Sequence, residues 1–147
     1  MHDAPDPTRH GAGDHTHDST ASRVAAMNRS EFSRLLGMEV VEARPGWARV
    51  KMEVPGKRNH QGSAHGGAIF SLADQAFAVA ANLGEEAQVA LSAQISYLAP
   101  AIDPLTAVAE RVAGDTRHSL YRVRVYSGEK LVATFEGVGI RAAGNRD

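Results

Sequence analysis

Apolar and polar positions change period several times along the chain, and each change marks an element. Residues 1–21 hold almost no large apolar side chain and are rich in Asp, His, Pro, Thr and Gly. Such a stretch cannot bury enough surface to offset its ordering entropy, so it is expected to be a disordered tail. Val24, Met27, Phe32, Leu35 and Leu36 then form the apolar side of a short helical segment, with Ser30 as the expected cap of its second turn and Gly37 of its end. Met38 to Ala43 reads as a strand and Pro45-Gly46 as a turn. Trp47 to Val54 alternates, with Val50, Met52 and Val54 on one face and Arg49, Lys51 and Glu53 on the other. The two strands predict a hairpin.

From about Gly66 to Leu83 the period lengthens to that of a helix: Ile69, Leu72, Ala73, Ala76, Ala80 and Leu83 fall on one stripe. Ala68, Ala78 and Ala81 keep this helix slim on its other sides, which suits a helix enclosed by a sheet. Period two returns at Val89, Leu91, Ala93, Ile95 and Tyr97, alternating with Ala90, Ser92, Gln94, Ser96 and Leu98 until Pro100 stops the run. Further strands are expected near Leu105–Ala113, Ser119–Ser127 and Lys130–Arg141, the last two joined by a tight turn at Ser127-Gly128-Glu129. In the final strand Leu131, Ala133 and Phe135 oppose Val132, Thr134 and Glu136. The pattern predicts an antiparallel sheet interrupted once, after the first hairpin, by a long helix. It makes residues 22–141 a single folded domain and 142–147 a flexible C-terminus.

Composition narrows what this domain can do. A chain of 147 residues forms one domain with a real core. Sixteen basic and 17 acidic residues give a formal charge of −1, against a broad nucleic-acid surface but compatible with a few cations for a phosphate. Without cysteine there are no disulfides, thiolate metal sites or thiol nucleophiles. No apolar run approaches the ~20 residues of a membrane span. The N-terminus lacks a hydrophobic signal core, so a cytoplasmic protein without membrane contact is expected. Four of the seven histidines, His2, His10, His15 and His17, lie in the tail. A solvated tail is favoured there over a metal site, because flexible ligands pay ordering entropy. No metal and no separate cofactor are expected.

The candidate chemistry sits in the run NHQGSAHGGAIFSLAD, from Asn59 to Asp74. Free amides at a helix N-terminus carry partial positive charge, and glycine at 66 and 67 leaves the approach to them open, an arrangement suited to an oxyanion or a carbonyl oxygen. Asp74 is the one carboxylate of the helix. Seven residues after Gly67, at about 100° each, it returns to the same stripe. A surface Asp is the ordinary reading of such a residue. Eight residues separate Gly66 from Asp74, roughly 12 Å along the axis. A reacting carbonyl must lie about 3 Å from its oxyanion donor and close to its base or nucleophile. Two antiparallel helices related by a two-fold axis meet both demands, Gly66 of one facing Asp74 of the other, so a site shared by a symmetric dimer is expected. Asn59 can donate to a carbonyl or simply make a turn, and His65 can do the same or lock the loop.

The string N-x2-G-x2-H-G-G-x6-D, followed by a helix and a strand ending Tyr97-Leu98-Ala99-Pro100-Ala101, resembles the PaaI-like acyl-CoA thioesterases of the hotdog-fold superfamily. The likeness covers about residues 24 to 141. It implies an α+β hotdog fold, one long helix wrapped by an antiparallel sheet. It also implies homodimers that build two active sites and assemble further into homotetramers, and an acyl-CoA substrate, phenylacetyl-type as in phenylacetate degradation or medium-chain. Carried over by position, Asp74 matches the catalytic carboxylate, as base or nucleophile. Gly66 matches the glycine whose amide holds the thioester oxygen, with Gly67 beside it. Asn59 matches the assisting amide side chain and His65 the loop histidine. A water-holding place on the following strand falls at Ser92 or Ala90. Arg117 and His118 fall near a loop that meets the coenzyme A phosphates. The alternatives are a hydroxyacyl-thioester dehydratase and a non-catalytic acyl-CoA-binding module.

Overall fold

The computed structural model describes residues 15–143. Two helices, α1 (His15–Asn28) and α2 (Glu31–Leu36), lead into the hairpin β1 (Glu39–Arg44) and β2 (Trp47–Met52). The long helix α3 (Gly66–Ala81) follows, and then β3 (Gln88–Tyr97), β4 (Leu105–Gly114), β5 (His118–Ser127) and β6 (Lys130–Arg141). All strand pairs are antiparallel and form one six-stranded sheet in the order β1-β2-β4-β5-β6-β3. The α+β architecture expected from the sequence is therefore present.

The sheet curls so far that α3 packs against all six strands. Ile69, Leu72, Ala73, Ala76, Ala80 and Leu83, the stripe expected to face the core, are all buried. They meet Ala48, Val50 and Met52 of β2, Leu105, Ala107 and Ala109 of β4, Val123 and Val125 of β5, and Phe135 of β6. Phe77 packs at 5.3 Å from the Tyr121 ring and 6.0 Å from that of Phe135. A strand glycine makes this fit possible. A Cβ at Gly137 would stand 2.8 Å from Phe77 Cε1 and 3.0 Å from Phe135 Cε1. Gly137→Ala is therefore expected to destabilise the fold by about 1–3 kcal/mol through overpacking, read as a lowered denaturant midpoint at unchanged slope.

Three local expectations are corrected. First, α1 begins at His15, inside the segment expected to be a tail. Val24 and Met27 pack against the core and anchor the helix, and propagation from an anchored turn adds one hydrogen bond per residue fixed. Residues 1–14, with His2 and His10, lie outside the described residues, as do 144–147. Ala142 still donates to the Ala87 carbonyl. Second, Phe32 and Leu35 do not face the core but are 55% and 76% exposed. The chain breaks helix at Arg29–Ser30, and α2 restarts in a different phase with Ser33 buried, its Oγ donating to the Met38 carbonyl at 3.1 Å. Ser30 occupies the N-cap position without a side-chain hydrogen bond, whereas Gly37 closes α2 in the left-handed conformation, φ 65°. Third, a bulge between Ala90 and Ser92 breaks the alternation of β3. Ala93, Ile95 and Tyr97 share the helix-facing side, but Val89 pairs with Ile140 on the other.

Among the described residues no helix is long and apolar enough to cross a membrane.

Candidate active site

The loop between β2 and α3 fastens itself before it delivers the helix. The Lys57 amide donates to the Val54 carbonyl, the His65 amide to the Lys57 carbonyl at 2.8 Å, and Arg58 bridges to Ala64. Within this clasp the Asn59 side chain works on its own loop. Its Oδ1 accepts from the Gln61 amide at 2.9 Å and the Ser63 amide at 3.3 Å, and its Nδ2 donates to Ser63 Oγ at 3.2 Å. That leaves one Nδ2 hydrogen for anything else. Gly62, at φ 86°, supplies the left-handed turn.

His65 is the N-cap of α3. Its Nδ1 accepts from the Gly67 amide at 2.9 Å, and its carbonyl accepts from the amides of Ala68 and Ile69. In the neutral ring the proton therefore sits on Nε2. The capping role predicts that His65→Ala costs about 1 kcal/mol of stability and that His65→Asn recovers most of it, as thermal melts would show. Gly67, whose amide is committed to His65, offers a ligand only its bare Cα. The Gly66 amide is different: it makes no hydrogen bond with any described residue. Gly66 is also the point where β3 meets the helix, because Tyr97 Oη donates to its carbonyl at 3.0 Å. A side chain at 66 would press on the Tyr97 ring, 3.3 Å from the Cβ position. The β3 pattern assigned Tyr97 to a strand face; only the fold puts its hydroxyl at the helix start.

Asp74 lies on the α3 stripe that also carries Gly67, Ser71 and Ala78, away from the sheet-packed residues. It is half-buried, and desolvation raises its pKa above the ordinary carboxylate value. Among the described residues it has neither a hydrogen bond nor an ion pair. Within one chain it stands about 12 Å along the axis from Gly66.

The remaining sequence candidates lie elsewhere. Arg117 and His118 occupy the β4–β5 turn, where Asp115 Oδ1 accepts from both their amides at 2.8 and 2.7 Å. Those bonds hold the Asp115 carboxyl below its usual range. The turn belongs to the C-terminal end of α3, where the Tyr121 hydroxyl meets the Ala80 carbonyl, so one chain does not bring it to Gly66. Ser92 pairs with Val138 on the sheet face turned away from α3. The bulge gives the helix-facing place to Ala90, opposite Gly139. A feature the sequence reading passed over is a groove of 440 Å³ beside the helix start, lined by Phe32, Leu36, Lys57, Arg58, Gly67 and Ser71 among others.

A slim helix held in the curl of a six-stranded antiparallel sheet is the hotdog fold, and comparison with known proteins agrees. The model of a domain family of unknown function, DUF4442, matches residues 19–134. The acyl-coenzyme A thioesterase PaaI of Escherichia coli K12 is 33% identical over 134 residues, covering 88% of this chain and 95% of that one. A structure of the E. coli PaaI protein, from the phenylacetic acid degradation operon, superposes with a TM-score of 0.81 at 32% identity, over 88% of this chain and 96% of the other. A mutant of the phenylacetic acid degradation protein PaaI from Thermus thermophilus superposes with a TM-score of 0.73 at 40% identity, over 77% and 100%. The chain belongs to the PaaI-like acyl-CoA thioesterases of the hotdog-fold superfamily.

Proposed function

We propose that this protein hydrolyses acyl-CoA thioesters in the cytoplasm, with an aromatic, phenylacetyl-type or medium-chain acyl group. The observation that carries the reading is the Gly66 amide, left without a partner among the described residues at the start of a helix whose other early amides are all used. A thioester oxygen accepts from that amide as negative charge develops on it. Asp74 of a second copy then acts from the opposite side. As base it takes a proton from water, which attacks the carbonyl carbon. As nucleophile it attacks directly, and water cleaves the resulting anhydride. Either route releases the coenzyme A thiol and a carboxylate. The raised pKa of Asp74 supports both roles, because a carboxylate at its ordinary pKa is a feeble base at neutral pH.

A second copy is required by the roughly 12 Å between Gly66 and Asp74 in one chain. The sheet offers it a place. β3 is an edge strand with Val89, Leu91 and Tyr97 about half exposed, an unprotected edge of the kind that pairs with another strand. Pairing β3 with its symmetry mate sets the two α3 helices antiparallel, and two such dimers make the proposed tetramer. Thiol release measured over phenylacetyl-CoA, benzoyl-CoA and straight-chain acyl-CoAs tests the reading. Turnover of at least one class is expected. Tight binding with no thiol released anywhere would make the protein a binding module, and water loss from a hydroxyacyl-CoA would make it a dehydratase.

A further inference from the structure

Two glycines open α3, and glycine is the poorest helix former after proline. A thioester oxygen needs Gly66 bare, yet a bare first turn frays. An amide that wanders contributes little, because an oxyanion is stabilised by donors already in place when its charge develops. Gly66 must therefore be held on both sides. The peptide plane before it is held by the His65 carbonyl, which accepts from the Ala68 amide at 2.9 Å and the Ile69 amide at 3.1 Å. The plane after it is held at both ends. The Gly67 amide donates to His65 Nδ1 at 2.9 Å, and the Gly66 carbonyl accepts from Tyr97 Oη at 3.0 Å.

Of these supports only Tyr97 comes from outside the loop and the helix. It closes β3 opposite Ala133 of β6, and the chain beyond it stays beside the helix start. There the Leu98 amide donates to the Val132 carbonyl at 2.8 Å, and the Ala101 carbonyl accepts from the Ala64 amide at 2.7 Å. The ring makes a second contact. Its Cζ lies 3.3 Å, and its Cε1 and Oη 3.4 Å, from the place of a Cβ on Gly66, so it stands where Gly66 has no side chain. Stability alone does not ask for this hydroxyl. Tyr121, at the other end of α3, is buried, and its hydroxyl has to turn to the Ala80 carbonyl. Tyr97 is 52% exposed in the single chain, where water would serve its hydroxyl. A neutral hydrogen bond exchanged for one to water contributes little to folding.

We infer that Tyr97 is a positioning residue of the oxyanion site: its hydroxyl and ring fix the backbone around Gly66, so that the free amide keeps one direction while the thioester oxygen acquires charge. The inference rests on the thioesterase reading and deepens it, because it gives the amide a support that the motif from Asn59 to Asp74 does not contain. Tyr97 acts through Gly66 and transfers no proton, since its hydroxyl hydrogen is engaged by the Gly66 carbonyl. β3 is also the edge strand proposed to join two copies. The element that builds the dimer thus sets the oxyanion donor as well.

Tyr97→Phe keeps the ring and removes the hydroxyl. For the acyl-CoA that the parent turns over best, kcat is expected to fall about 3- to 10-fold, the worth of one neutral hydrogen bond, with KM within about twofold, because the lost support acts on the transition state. The melting temperature should stay within about 2 °C of the parent's. Relaxation of the 15N-labelled protein reads the positioning itself. The Gly66 amide order parameter is expected at the rigid value of about 0.85 in the parent and well down towards the flexible range, about 0.6, in the variant, with Leu72 in mid-helix unchanged. An unchanged kcat, a raised KM at unchanged kcat, lost activity matched by a fall in melting temperature, or a Gly66 amide as rigid in the variant as in the parent would each overturn the assignment. If the parent releases thiol from no thioester, the hydrolase reading falls, and the Gly66 order parameter alone decides whether Tyr97 holds that amide.

Discussion

Asp74→Asn is expected to lower acyl-CoA turnover by about 10²–10⁴-fold, the usual worth of a positioned proton-transfer group, while making the fold more stable at neutral pH. Both effects come from one cause. Burial among α3 side chains penalises the ionised carboxylate and raises its pKa. Between the ordinary carboxylate value and this raised one, the folded state binds more protons than the unfolded state. Stability therefore falls as pH rises through that window and stays lower above it. The asparagine side chain has the same shape and no charge to desolvate. The melting temperatures of variant and parent should coincide at acid pH, then separate in the variant's favour as pH rises through the carboxylate range. Loss of turnover with a gain in melting temperature identifies Asp74 as a group kept for chemistry. Hydrolysis close to the parent's across the acyl-CoA panel would remove it from the mechanism. Lost turnover with a lowered melting temperature would point to structural damage instead.

Mixing two inactive variants is expected to restore activity. Asp74→Asn keeps the Gly66 amide, and Gly66→Val keeps Asp74 but puts a side chain against the Tyr97 ring, where a Cβ alone already reaches 3.3 Å. Each homodimer lacks one half of both sites. A heterodimer unites an intact Gly66 with an intact Asp74 at one of its two sites. With random exchange of equal amounts half the dimers are mixed, so about a quarter of the parent activity should return under two-fold symmetry. Activity that stays at the level of the separate variants, after exchange has been verified by native mass spectrometry, would mean that one chain supplies both groups. Any recovery well above the separate variants would be hard to explain unless subunits share the site.

Much of this was legible in the sequence because period and turn chemistry speak directly. The stripe from Ile69 to Leu83 is buried as the helical spacing requires, and the alternation of Val50, Met52 and Val54 is reproduced in their burial. What escaped the pattern has identifiable causes. A one-residue bulge after Ala90 exchanged the faces on which Val89 and Ala90 were expected, and no side-chain period announces a bulge. The restart of α2 moved Phe32 and Leu35 from core to surface, because a two-residue break rotates everything after it. In the site, the motif from Asn59 to Asp74 was readable as a unit, and for Asn59 and His65 a loop-holding role stood open beside a part in the chemistry. Asn59 and His65 turned out to be occupied in holding the loop and capping the helix. Tyr97, 31 residues from Gly66 in sequence, reaches the helix start only through the fold.

The strand order has a consequence for how the chain acquires its shape. β3 finds its neighbour in β6, the last strand among the described residues, and β2 waits across the whole of α3 and β3 for β4. Only the β1–β2, β4–β5 and β5–β6 hairpins can form from local sequence. α3 emerges from the ribosome long before most of the sheet that will enclose it. A topology this rich in distant partners closes slowly, in the millisecond-to-second range typical of such sheets, and leaves an alanine-rich helix and an apolar strand uncovered until the C-terminal segment arrives.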